Sequence, residues 1–311
     1  MPPTKNPAIE KWIEQFMSHS VPRTKSLIMT LFGDAIFPHE GKVWLGSLIE
    51  LLAPFGVSDR LVRTSVFRLA EEGWLDARRE GRRSLYTLNA SSLSRFEHAY
   101  QRVYAPQDRA WQGKWTLLFG LPEQITASQR AKLRKELLWE GFGMLGPTSF
   151  AHPDPNAEVI NEILDRTGVR DVIFVCTASQ SEALNGRPLS GLVQECWQLD
   201  AVAADYRHYV EQFASLPQLR QMRARLDPEQ AFVLRTLAIH EFRRAQLNDP
   251  LLPLEMLPAG WPGKTAYDLC HRIYRTTCVE AQAYVLASLR HEDESAPEAA
   301  PFFYQRFGGL D

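Results

Sequence analysis

The spacing of apolar residues divides the chain into stretches that repeat every three or four positions and shorter runs that are apolar throughout. RTKSLIMTLFGDAIF, Arg23 to Phe37, has helical spacing and predicts a first core helix, and WLGSLIELL, Trp44 to Leu52, predicts the next. Pro54-Phe55-Gly56 marks a turn. After it, Leu61, Val62, Val66 and Leu69 make one apolar helix face, while Arg60, Arg63, Thr64 and Arg68 occupy the opposite one. Ser58 stands where a cap accepts hydrogen bonds from unpaired backbone N–H groups, and Gly73 stands where such a helix stops. DARREGRRSLYTL follows at once and predicts a hairpin turning at Glu80-Gly81, which sets Arg79 opposite Arg82 and Arg78 opposite Arg83. A helix that leads into a basic hairpin is the outline of a winged helix-turn-helix.

Ser91 to Tyr104 predicts a helical linker closed by Pro106. KWTLLFGL, from Lys114, predicts a strand, and Ala127 to Glu140 a basic amphipathic helix. GFGMLGPTSFAHP predicts a strand region broken by Gly and Pro, with an edge near Gly146, and VRDVIFVC, Val169 to Cys176, a strand apolar enough to be central. With a long helix at Leu192 to Ala214, this order predicts a ferredoxin-like unit. Asp227-Pro228-Glu229 supplies a cap, a first-turn proline and an acid at the positive end of a helix that Asp249-Pro250 stops. Thr265 to Leu289 predicts another helix, and HEDESAPEAAP a disordered spacer before an aromatic tail. The expected class is α+β in three consecutive domains. Residues 1–105 form a winged helix-turn-helix with its linker, 106–216 a ferredoxin-like dimerisation domain, and 217–311 a helical regulatory domain with a partly disordered tail.

Charge sharpens the N-terminal reading. The net charge of −2 over 311 residues argues against a nonspecific nucleic-acid coat. Between Val21 and Ala90, however, seven of the ten Lys and Arg residues fall on the helix and hairpin. Arginines crowded on a hairpin tip repel one another, and a phosphate backbone would neutralise them. Ser58, Arg60, Arg63, Thr64 and Arg68 on the helix, with Arg78, Arg79, Arg82 and Arg83 on the hairpin, are therefore the expected contacts to double-stranded DNA. No apolar run is long enough to span a membrane and no secretory leader opens the sequence, so a cytoplasmic protein is expected. Cys176, Cys196, Cys270 and Cys278 lack paired metal-ligand spacing and read as buried thiols, so no metal site is expected.

SLIMTLFGD, GRRSLYTL and above all IHEFRRAQLNDPLLPLEMLPAGWPGKTAYDL resemble the PaaX family of bacterial repressors, along essentially the whole chain. The resemblance implies a homodimeric repressor of phenylacetate catabolism that leaves its operator when phenylacetyl-coenzyme A binds, with no other cofactor. It also implies a regulatory role for the region from His240 to Arg244 and for Trp261. Thr236, His240, Arg243 and Arg244 share one helix side, where guanidinium forks suit the phosphates of an acyl-coenzyme A and Trp261 offers aromatic surface. The bland alternative is a salt-bridge network that includes Glu241 and fastens the helix to its neighbours.

Two enzymatic alternatives stand beside the repressor. A metal-dependent nuclease on the ferredoxin-like unit would need a carboxylate near the end of its first strand, where the nearest acid is Glu123. A coenzyme A ester hydrolase would need a nucleophile beside a base, and no G-x-S-x-G or H-E-x-x-H motif is present. No catalytic residue is therefore expected.

Overall fold

A computed structural model of the chain describes residues 5–105, 111–179, 189–216 and 226–310. The N-terminal part begins with α1 (Pro7–His19), capped by the Asn6 side chain, and α2 (Thr24–Leu31). Strand β1 (Lys42–Trp44) leads into α3 (Leu45–Leu52) and α4 (Asp59–Glu71). Strands β2 (Leu75–Glu80) and β3 (Arg83–Leu88) form the hairpin, and α5 (Ala90–Tyr104) follows. The three strands make one antiparallel sheet in the order β1-β3-β2. Trp44, expected to open a helix, instead ends a strand that pairs with the hairpin through Leu85. The helix at residues 90–104 is more than a linker, since Phe96, Val103 and Tyr104 are buried. Pro106, expected to close it, lies outside the described residues.

The middle of the chain runs β4 (Lys114–Gly120), α6 (Ala127–Trp139), β5 (Gly143–Gly146), β6 (Ser149–His152), α7 (Ala157–Thr167) and β7 (Ile173–Ser179). All pairings are antiparallel in the order β5-β6-β4-β7, so the unit runs βαββαβ, where the sequence predicts strand, helix, strand, strand, helix for its ferredoxin-like unit. Two details differ. The second helix of the unit is α7, which has no counterpart among the expected elements. Moreover β7 is an edge strand, with Phe174 and Val175 exposed, where a central strand was expected. One sheet face packs Leu118 and Phe150 against Leu133, Leu137, Ile160 and Ile163 of α6 and α7. The other packs Trp115 and Ala151 against Trp197, Leu252 and Met256.

Helices α8 (Leu189–Cys196), α9 (Leu199–Ala214), α10 (Pro228–Gln246), α11 (Gly263–Glu292) and the short α12 (Pro301–Tyr304) complete the chain. The region at Leu192 to Ala214 is thus two helices rather than one. Asp227 accepts from the Gln230 amide at 3.1 Å and opens α10 as its spacing predicts. The acidic spacer is not loose: Arg290 donates to the Ala296 carbonyl at 3.0 Å, and Phe303, Arg306 and Phe307 beyond it are buried. The residues group into two compact units, Met1–Pro106 with Arg207–Arg244 and Lys264–Asp311, and Gln107–Tyr206 with Ala245–Gly263. Part of the C-terminal third therefore shares a unit with the N-terminal helices.

Candidate nucleic-acid interface

Helix α4 is anchored by Val62, Ser65, Val66 and Leu69, all buried against the N-terminal core. Those positions turn Arg60, Arg63, Thr64 and Arg68 outward, and each is exposed. Leu61, expected on the apolar face, is instead 46% exposed, because Ser65 takes its place in the packed stripe. Ser58 does occupy the N-cap, but its side chain makes no capping hydrogen bond. The Thr64 hydroxyl donates back to the Arg60 carbonyl at 2.9 Å. Among the described residues none of Arg60, Arg63 and Arg68 forms an ion pair. Three guanidinium groups thus stand unneutralised on one surface of a rigid helix.

The hairpin register corrects the expected arginine pairing. Glu80 pairs with Arg83, Arg79 with Ser84 and Arg78 with Leu85, so Gly81 and Arg82 form the two-residue turn. Gly81 takes a φ of +60°, and placing it first in the turn lets Arg82 avoid a left-handed backbone. The arginines do not cluster as facing pairs. Arg78 lies 3.3 Å from the Glu80 carboxylate, and Arg79 donates to the Gly81 carbonyl at 3.3 Å. Arg83 stacks 4.3 Å from the centre of the Trp44 ring and donates to the Glu292 carbonyl at 2.7 Å, so it anchors the hairpin to α11. Arg82 is exposed at the tip. Burial raises the Tyr86 hydroxyl, an effect opposed by the charge of Arg63.

The C-terminal candidates divide. Thr30 on α2 donates to the Ser26 carbonyl at 3.0 Å, accepts from Arg243 at 3.2 Å and lies 2.8 Å from His240 Nδ1. One hydroxyl proton serves one acceptor, so satisfying all three contacts makes His240 the donor from Nδ1. Burial, with Arg243 and Arg244 nearby, pushes the His240 imidazole down to about 3, so it is neutral at physiological pH. Arg244 is exposed and lies 3.4 Å from Glu241, the salt bridge that the bland reading anticipates. Trp261 belongs to the other compact unit, where its ring meets Tyr206 at 6.0 Å.

A polar centre that sequence reasoning passes over lies in the same compact unit as α4. The buried Asp34 carboxylate accepts from Tyr104 at 2.8 Å, Tyr274 at 2.7 Å and Arg306 at 3.1 Å, and faces Arg235 at 3.0 Å. Burial alone would raise this carboxyl, but Arg235 and Arg306 hold it below its ordinary value. Its only sequence signal is charged residues inside strongly apolar helices.

Around the enzymatic alternatives, Glu123 is exposed in a short turn after β4. Among the described residues no three His, Cys, Asp or Glu side chains form a metal-binding group. Cys270 and Cys278 are buried as expected, while Cys176 and Cys196 are partly exposed, and burial pushes the Cys270 thiol up, away from the reactive thiolate. Among the described residues no helix is long and apolar enough to cross a membrane.

Three sequence models of one family match in succession: PaaX-like protein at residues 23–92, PaaX protein central Cas2-like domain at 108–189, and PaaX-like protein C-terminal domain at 197–287. The Transcriptional repressor PaaX of Escherichia coli (strain K12) is 39% identical over 304 residues, covering 96% of each chain. A solved structure of an uncharacterized protein, Rv0674, from Mycobacterium tuberculosis is 25% identical with a TM-score of 0.47, covering 76% of this chain and 89% of that one. With three family models matched along its length and a near full-length relative, the chain belongs to the PaaX family of transcriptional repressors.

Proposed function

We propose that residues 23–92 act as a winged helix-turn-helix in a dimeric repressor of phenylacetate degradation genes that releases its operator on binding an acyl-coenzyme A such as phenylacetyl-coenzyme A. The observation that carries the DNA-binding part is the face of α4, where Arg60, Arg63 and Arg68 are exposed and unpaired among the described residues beside a hairpin with Arg82 at its tip. A helix of this kind enters the major groove while the hairpin reaches phosphate. A second copy would extend recognition to two half-sites, and the exposed Phe119 and Phe174, paired across β4 and β7, favour the sheet edge as its contact. For the effector, Arg243 is a partly buried guanidinium that bonds a hydroxyl, and Thr30 places that contact on α2, in the same compact unit as α4.

The test is a gel shift of duplex from upstream of the gene encoding this chain, with and without phenylacetyl-coenzyme A. The expected result is a complex of two copies per duplex that the effector dissolves while itself remaining chemically intact. Arg243→Ala with Arg244→Ala should keep the complex and lose the response. Turnover of the ester would favour a hydrolase, one copy per duplex would remove the dimer, and an unresponsive wild-type complex would remove the effector.

A further inference from the structure

Helix α4 leaves a large aromatic ring in water that the packing does not explain. Phe67 is 60% exposed, although Val62, Val66 and Leu69 fully occupy the side of the helix that meets the core. It lies on one stripe with Arg60, Arg63 and Thr64, at positions i, i+3, i+4 and i+7, so arginines precede it along the same line. Leu61, also exposed, borders that stripe beside Thr64. An apolar ring set among unneutralised guanidinium groups calls for a partner that is anionic yet offers small apolar features. The major groove of a duplex is such a surface: phosphates line it, and each thymine presents a 5-methyl group there. An anionic lipid surface shares the charge. It does not suit the arrangement as well, because the exposed face of α4 carries Leu61 and Phe67 as its large apolar side chains among arginines rather than a broad apolar plane.

We propose that Phe67 is a specificity-determining residue that packs on the 5-methyl group of a thymine in each half-site, while the flanking arginines hold the helix in the groove. This rests on the DNA-binding reading above. No bond is made or broken. The discrimination comes from withdrawing one methyl group and part of one ring from water, a contact that cytosine, guanine and adenine do not provide at that position.

The experiment uses the full chain and a duplex that the wild-type protein enriches from a randomised pool. Each thymine is replaced singly by deoxyuridine, which removes the methyl and nothing else. For wild type, affinity should fall roughly fourfold at one thymine per half-site, the effect of one methyl group returned to water. Phe67→Ala should bind the unmodified duplex correspondingly more weakly and become indifferent to that replacement, and Phe67→Leu should retain part of the discrimination. Because Phe67 is exposed, both variants should unfold at the wild-type temperature, which separates a lost contact from a lost fold. If no thymine replacement weakens wild type, or if the penalty persists in Phe67→Ala, the inference is overturned while DNA binding stands. Loss of binding to phosphatidylserine vesicles in Phe67→Ala, with duplex selectivity unchanged, would overturn it in favour of a lipid face. If the pool yields no enriched sequence, the DNA-binding reading itself fails, and this inference with it.

Discussion

Two groups of arginines in the same compact unit have opposite surroundings. Arg235 and Arg306 have no exposed side-chain surface and share the single carboxylate of Asp34. Arg306 also lies 4.1 Å from the centre of the Tyr104 ring and 4.6 Å from that of Phe303, and donates to the Gly33 carbonyl at 3.0 Å. Arg60, Arg63 and Arg68 stand in water with no ion pair among the described residues. A buried guanidinium must have its charge and donors satisfied within the fold, so it fixes which elements meet: here the helical turn Phe32–Ile36 that follows α2, with α5, α10, α11 and the tail. An exposed one owes nothing to folding, and its charge remains available to a ligand. Partnering, rather than the number of arginines, separates scaffold from interface.

The strongest way to break this contrast is Asp34→Ala, which leaves two buried guanidinium groups facing no carboxylate. Removing one partner of a buried ion pair costs about 3–5 kcal/mol, so urea unfolding should show a loss of that size or no folded protein at all. A loss under about 1 kcal/mol would mean that the hub is ornamental.

His240 sharpens the comparison, because it is buried beside Arg243 and stays neutral. Its ordinary value is 6.5 and its folded value about 3, so as pH falls the unfolded chain takes up the proton first. Stability is therefore complete above pH 6.5 and is lost below it at about 1.4 kcal/mol per pH unit, or about 2 kcal/mol by pH 5. Burial also holds His39 below its ordinary value, which adds to the loss with the same sign. In urea unfolding, His240→Gln should shrink the loss between pH 6.5 and pH 5 by about 2 kcal/mol. An undiminished loss would place the acid sensitivity elsewhere.

The exposed group was the legible one. Local spacing marks α4, Gly73 takes a φ of +75° just beyond its end, and a hairpin follows as expected. Its turn sits one residue later than expected, which moves each cross-strand partner by two residues, because the position of glycine within a two-residue turn decides the pairing and the sequence admits either. Helix α7 was readable and missed: Asn156 caps it, Ile160, Ile163 and Leu164 make its buried face, and Gly168 ends it. The edge position of β7 was not readable, since an apolar run looks the same at the centre of a sheet and at an edge that keeps its apolar side chains exposed. The Asp34 hub was also beyond reach. Asp34 and Arg306 are joined across nearly the whole chain, and an acidic, proline-bearing spacer before the tail reads locally as disorder although the aromatic residues beyond it are core.

The central claim is that the α4 arginines serve a duplex and not the fold. Its most direct test is the salt dependence of duplex binding by wild type and by the triple variant Arg60→Ala, Arg63→Ala, Arg68→Ala, with unfolding measured on both. The account predicts unfolding stabilities within about 0.5 kcal/mol of each other. It also predicts a plot of log affinity against log salt that is shallower in the variant by about 0.9 for each arginine that neutralises a phosphate. Equal slopes, or a variant that loses stability as Asp34→Ala does, would contradict it.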